Sequence, residues 1–555
     1  MSLGGAIARP RSLGGRVQVP PWTAAAWWAI GATAAFVLLT LWWLTQDRAV
    51  PTGDAAEELW AALRFRDYLL EGDVGAIFDY PAFYPPYGLL LGGIVSIFAG
   101  ISRDGVILGT NLVCVPLLAL SCYRVGRLLA GPTAGALAVV FALGSPLLIE
   151  QFHVFIIDAP EAAIAAVAVW LVLASERFRR PGIAALAGLA IGIGTGTKEQ
   201  FPLYVTGLLA VVLVRGGWRN VRGLAALAGV ALAVGAPWYV HNSERLADIY
   251  NASQTGEGLL FPVPPLARPS FFTFANVEWY GWATLNGLLF APLTAIAAIG
   301  VVSALWWMRR PSERAGVLPE LLGGLLGAWL LLTILTHKDM RYALPLIGYL
   351  AVLGTAWIAR LERRPRLVAT AALGAAVVAT TLGMTFGVGG PVPARPPGNL
   401  GAALGVGVPP SDRVIVYANH NYLVAGPRAD GNMLGLLRDL ERAGVRRIYW
   451  DPAKSGPENE DFNGSGLSVL ARIAGMDVAK RIAAGLILPH YALLDYRPAP
   501  AGTYPCVRFR NGMGVWALLG AGGGGAVAYC PRTNTVSPPI PVPAINLEGG
   551  AAALP

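Results

Sequence analysis

"PPYGLLLGGIVSIFAG", residues 85–100, decides how this chain is laid out. The stretch is apolar, yet its 16 residues fall short of the ~20 that a helix needs to cross a bilayer. It opens on Pro-Pro-Tyr-Gly and contains the pair Gly92-Gly93. It therefore reads as an interfacial or re-entrant helix, and the side of every later loop depends on that reading.

The rest of the chain sets the context. Of 555 residues, 55% are hydrophobic and 14% charged, where a soluble domain carries roughly 25% charged residues. Mean hydropathy is +0.54. The formal charge of +9 would suggest nucleic acid in a soluble protein, but here the arginines cluster in short loops between apolar runs, where membrane topology explains them. The run 22–44 is too long for a signal-peptide core and lacks an A-x-A site, so it reads as a first span that is retained.

Further spans are predicted near 105–122, 131–149, 159–175, 182–197, 200–214, 223–240, 284–307, 318–336, 342–359 and 367–388. The basic clusters between them are Arg124/Arg127, Arg177/Arg179/Arg180, Arg215/Arg219/Arg222, Arg309/Arg310/Arg314 and Arg360/Arg363/Arg364/Arg366. With the N-terminus inside and 85–100 not crossing, all five fall on the cytoplasmic side, as the positive-inside bias requires. A crossing at 85–100 would put alternate clusters on the wrong face.

The expected fold is an α-helical polytopic membrane protein of about eleven transmembrane helices, multi-pass in the cell (inner) membrane. A cytoplasmic segment covers 1–21, and the membrane domain covers 22–388 with its first extracytoplasmic loop at 46–104. A Gly/Pro linker at 389–410 leads to a small extracytoplasmic α/β domain at 411–530. There "RVIVYANH", the helical "NMLGLLRDLERAG" and "VRRIYW" give a βαβ-type pattern. The tail 531–555 is Pro-rich and reads as disordered. Cys506 and Cys530 lie in that outer domain, where a disulfide persists. Cys114 and Cys122 fall in a span and read as small hydrophobes.

The outer turns hold the chemistry. In "PTGDAAEELWAALRFRDYLLEGD", residues 51–73, Ala56, Leu59, Trp60, Leu63 and Leu70 share a helical face. The stretch reads as a surface helix with its acids turned to water. Asp54 with Glu57 three residues on also fits a capping box, a role compatible with facing a cleft. "IEQFHVFIIDAPEAA" brings Glu150, His153, Asp158 and Glu161 to the membrane boundary, where ionisable groups are costly and often functional. Asp158 before Ala159-Pro160 equally suits a helix start. Lys198 and Glu199 in "GTGTKEQF", and His337, Lys338, Asp339 and Arg341 in "THKDMRYALP", read singly as snorkelling or anchoring ends. Together they set carboxylates against cations on one face, beside Tyr84, Trp238, Tyr239 and Tyr342. That combination suits a phosphate-bearing lipid and a hydroxyl nucleophile: cations neutralise the leaving phosphate and a carboxylate takes the hydroxyl proton.

In this order "GDAAEELW", "YPPYGLL", "SPLL…IIDAP", "TKEQF", "APWYVHN" and "KDMRYALP" resemble the GT-C-type integral membrane glycosyltransferases, in the branch of the protein O-mannosyltransferases and aminoarabinose transferases. The resemblance covers roughly residues 20–360. It implies transfer of a sugar from a polyprenyl-phosphate donor to a glycan, protein or lipid acceptor outside the cytoplasm. It also implies Asp54 as base or acceptor-orienting group, Asp158 as the second-loop acid, and Lys198, Lys338 and Arg341 as donor-phosphate ligands. Tyr84 would line the cleft, with Glu57, His153, Glu199 and Tyr342 as neighbouring cleft or acceptor residues. Two departures stand out: Ala55 where many relatives have a second acid, and His153 near where many have an arginine.

Direct displacement assisted by Asp54 would invert the anomeric centre. A transporter or flippase of lipid-linked saccharides is the alternative, although transporters place ionisable groups at the midplane of broken helices. A receptor whose C-terminal domain does the work would leave the first loop without a role. His153, His241 and His337 with a carboxylate would be the candidates for a zinc site, but the short spacings that mark such sites are absent from the sequence.

Overall fold

The computed structural model describes residues 23–46, 53–80, 84–244, 246, 279–281, 283–335 and 339–386, with short pieces between 447 and 537. Helices dominate: α1 (Ala24–Gln46), α2 (Gly53–Glu71), α3 (Val74–Asp79), α4 (Tyr87–Ala99), α5 (Arg103–Ala130), α6 (Pro132–Leu143), α7 (Pro146–His153) and α8 (Asp158–Ala174). They continue with α9 (Pro181–Thr195), α10 (Pro202–Val214), α11 (Val221–His241), α12 (Phe290–Trp307), α13 (Pro311–Ala315), α14 (Leu318–Ile334), α15 (Ile347–Arg360) and α16 (Arg363–Phe386).

Each predicted span falls on helix. Among the described residues six helices are long and apolar enough to cross a membrane, and up to seven if α6 and α7 count as one bent span. The pair α6–α7 departs from the straight span expected at 131–149, because the chain bends by 60° between them. The local sequence explains the break. Gly144 ends α6, Pro146 starts α7, and the Ser145 hydroxyl between them accepts from the Leu148 N–H. That hydroxyl also donates to the Leu288 carbonyl at 2.6 Å, which fixes the bend from outside.

Residues 85–100 form α4, whose 13 residues span only about 20 Å at 1.5 Å per residue, too short for a perpendicular crossing. Its glycine face lies along α2: a methyl on Gly92 would strike the Phe155 ring, and one on Gly93 would sit 3.1 Å from the Ala62 carbonyl. The helix α2 buries Ala56, Leu59, Trp60 and Leu63 as the spacing predicts, while Leu70 is exposed. The expectation that its acids face water is corrected. Glu58 and Asp67 are buried, because α4 and the 155–157 segment cover the helix that was expected to lie open on the surface.

Small residues set the spacing of the long helices. α9 packs on α11, and α10 on α14. A methyl at Gly188 would meet the Leu227 carbonyl oxygen, and one at Gly207 would meet the Gly323 carbonyl, so backbones approach closely at both crossings. Gly188→Ala is expected to destabilise the protein by about 1–3 kcal/mol or more, since rigid backbone rather than a flexible side chain is in the way. A thermal melt in detergent checks this.

The two ends of the bundle differ in charge. At one end Glu320, at the start of α14, takes Arg177 at 3.2 Å and also pairs with Arg215. Arg360 pairs with Glu313 at 2.8 Å. Asp158, Pro202 and Leu335 lie at the other ends of α8, α10 and α14. In the C-terminal part, β1 (Arg447–Tyr449), β3 (Val515–Leu518) and β2 (Tyr504–Cys506) form an antiparallel sheet in the order β1-β3-β2. β4 (Ala528–Cys530) pairs antiparallel with β5 (Thr535–Ser537). The strand 413–420 and helix of the expected βαβ unit, and the side chains of Cys506 and Cys530, lie outside the described residues.

Candidate active site

Four chain segments meet at the end away from the arginine clusters. Asp54 lies in the first turn of α2, inside the helix rather than capping it. Asp158 opens α8, and Lys198 follows the last turn of α9. Asp339 caps a 3-10 turn at Met340–Leu346, its carboxylate accepting from the Arg341 N–H at 2.8 Å.

The charges alternate through the site. Arg341 Nη2 lies 2.7 Å from Asp54 Oδ2 and 2.7 Å from Asp339 Oδ2, and Nε donates to the same Asp339 oxygen at 3.0 Å. Arg341 Nη1 lies 3.8 Å from Asp158 Oδ2. The other oxygen of Asp158 accepts from Lys198 Nζ at 2.7 Å. Lys198 and Asp158 are sealed from solvent at 0% and 1% side-chain exposure, whereas Asp54 is 42% exposed. The row thus runs from a dry ion pair to a carboxylate that reaches the outside. Tyr84 and Tyr342 place their rings 5.2 and 4.9 Å from Lys198 Nζ, within cation–π range.

Burial alone would push the Lys198 ammonium down, but the Asp158 and Glu161 carboxylates outweigh it and hold it well above its ordinary value. Burial would raise Asp339, yet the Arg341 guanidinium keeps it below the usual carboxylate range. Glu58 is pushed well above that range, first by burial and then by the negative charges of Asp158 and Asp54.

Seven of the residues singled out in the sequence therefore converge: Asp54, Asp158, Lys198, Asp339, Arg341, Tyr84 and Tyr342. Others lie elsewhere. Glu57 points away from the packed face of α2 and is exposed. Glu199 is exposed at the rim. His153 is buried, its ring stacked on Trp43 at 4.1 Å and 9°. Its sequence neighbourhood placed it at the boundary, but the 60° bend turns α7 inward. Lys338 and His337 lie outside the described residues. His241 pairs with Asp79 at 2.6 Å where α3 meets α11. Among the described residues no group of three His, Cys, Asp or Glu is placed to hold a metal.

Glu58 was missed. It sits four residues after Asp54, hence on the same helix face. One oxygen accepts from the Ile157 N–H at 2.6 Å, directly before Asp158. The signal was present in that spacing but was masked by the assumption that every acid of α2 faces water.

Residues 83–241 match the family of dolichyl-phosphate-mannose-protein mannosyltransferases, a segment that includes Tyr84, Asp158 and Lys198. The chain is also similar to the crystal structure of ArnT from Cupriavidus metallidurans in the apo state, at 19% identity and a TM-score of 0.53. The same ArnT bound to undecaprenyl phosphate aligns at 18% identity and a TM-score of 0.54. Both alignments cover 81% of this chain and 85% of that one. No curated protein matches in sequence. The resemblance to the GT-C-type integral membrane glycosyltransferases thus holds in the matched segment and in the fold.

Proposed function

We propose that this protein transfers a sugar from a polyprenyl-phosphate carrier to a hydroxyl acceptor on the extracytoplasmic face of the cell membrane. The observation that carries the reading is the Asp54–Arg341–Asp158–Lys198 row, which ends in a single water-reaching carboxylate held by a guanidinium. The similarity to an ArnT bound to undecaprenyl phosphate supports a carrier of that class. The arginine clusters at the opposite end support the sidedness.

In the reaction the acceptor oxygen attacks the anomeric carbon as its proton passes to an Asp54 oxygen. The bond from that carbon to the phosphate oxygen breaks, and the electron pair leaves with the polyprenyl phosphate. A phosphate leaves as an anion without being protonated, so one base suffices, and attack from the face opposite the leaving group inverts the centre. Arg341, already beside Asp54, is the group best placed to take up the phosphate charge, with Lys338 as a second cation. Lys198 is sealed from solvent, so in this reading it acts through Asp158, orienting that acid, instead of touching the phosphate as its sequence position suggested. The 411–530 domain, reached through the 389–410 linker, would contribute to acceptor binding. A carrier transporter is less well supported, because the charges pair at one end of the bundle.

The test is release of free polyprenyl phosphate from sugar-loaded carriers by purified protein in the presence of acceptor extract. Release that requires acceptor is expected. Carrier movement across vesicles without any release would overturn the transferase reading.

A further inference from the structure

We infer that Glu58 is a positioning residue that caps α8 from outside and thereby sets Asp158 against Asp54 and Arg341. The inference rests on the transferase reading above only for its effect on turnover.

A helix start leaves backbone N–H groups without helical partners. At the start of α8 the cap residue, Ile157, has no polar side chain and makes no capping bond of its own. Pro160, in the first turn, has no N–H to offer. The acceptor comes instead from a helix about a hundred residues away in sequence, since Glu58 Oε2 takes the Ile157 N–H at 2.6 Å. The residue so fixed is the immediate neighbour of Asp158. Its carboxylate must face both Lys198 at 2.7 Å and Arg341 at 3.8 Å.

The same side chain is tied to Asp54 by geometry. Four residues apart on α2, Asp54 and Glu58 lie on one face a single turn apart. One contact between Glu58 and Ile157 therefore registers the base-bearing helix against the helix that starts with the second acid. Glu58 is buried, and its other oxygen, Oε1, has no hydrogen-bond partner among the described residues. A carboxyl placed there for solubility or surface charge would be turned outward, as Glu57 is. The chain retains a costly buried acid at a point where its one hydrogen bond joins two parts of the site.

An acceptor oxygen, rather than the negative charge, is what the cap requires. Glu58→Gln keeps an oxygen of the same reach, and Glu58→Ala removes it. For Ala, kcat is expected to fall on the order of ten-fold or more, since misplacement of a reacting group by an ångström is enough for that. The donor KM should stay within about two-fold, because Arg341 keeps its closer contacts with Asp54 and Asp339. For Gln, kcat should recover to within about three-fold of the parent. Hydrogen–deuterium exchange of the peptide covering Ile157 gives a readout that needs no turnover: protection should persist in Gln and be lost in Ala. If Ala does not fold, Gln with exchange decides the matter.

A Gln variant that loses protection or activity would overturn the cap. So would an Ala variant with parental kcat, or with damage confined to donor KM. If the parent protein transfers no sugar at all, the function reading fails, while exchange at Ile157 still reports the Glu58 contact.

Discussion

Asp54→Asn is expected to fold as the parent does and to turn over on the order of 10²-fold more slowly. The substitution keeps the size of the side chain and an oxygen for Arg341 Nη2, which lies 2.7 Å away. What it removes is the capacity to take a proton. An ion pair with one partner at 42% exposure is worth no more than about 1 kcal/mol, so stability should change little. Two other roles for Asp54 predict different results. A helix cap would be served equally well by Asn, but Asp54 lies within the first turn and its carboxylate is turned to Arg341. A purely structural partner of Arg341 would make Asn mildly destabilising and leave kcat intact. Acceptor-dependent release of polyprenyl phosphate, measured beside a thermal melt of the same preparation, separates these outcomes. A stable, fully active Asn variant would remove Asp54 as the base.

Most of the helical layout could be read from hydropathy, since an apolar run of span length is a strong local signal and each predicted span falls on helix. The bend between α6 and α7 was less visible. Gly144-Ser145-Pro146 interrupts an apolar run without ending it, and the angle depends on Leu288, far away in the chain. Charge in the outer turns pointed to Asp54, Asp158, Lys198 and Arg341, because ionisable groups at a membrane boundary need a reason to be there. Which of them pair could not be read, since pairing follows from how α2, α8, α9 and the 339–346 turn pack. Lys198 is the plainest case: its position beside a span end suggested a snorkelling cation, and the structure seals it against Asp158. Glu58 shows the converse error. A helical wheel sorts residues by face, but whether a polar face meets water depends on what covers it, and α4 with the 155–157 segment covers this one.

Lys198→Met should be the most destabilising of the substitutions at the site, by about 3 kcal/mol, because it takes from the buried Asp158 its hydrogen-bonded cation and leaves only Arg341, 3.8 Å away. Lys198 is fully buried, with its ammonium 2.7 Å from Asp158 and 5.2 and 4.9 Å from the rings of Tyr84 and Tyr342, so bulk solvent does not reach the pair. The pair's contribution has a definite pH window. The ammonium is held above its ordinary value, so the stabilisation is complete below about pH 10.4 and is lost only as pH rises through the higher folded value. Neutral and mildly acid buffers should therefore show the full deficit of the Met variant. Replacing both partners separates stability from function. Lys198→Met with Asp158→Leu substitutes two apolar side chains for two buried charges, an exchange that is often neutral or stabilising. The double variant should melt close to the parent and yet remain at least about ten-fold impaired in transfer, because the Asp158 carboxylate, 3.8 Å from Arg341 Nη1, is then missing from the site even though Arg341 keeps Asp54 and Asp339. A double variant that recovers both its melting temperature and its turnover would show that the Asp158–Lys198 pair serves the fold alone.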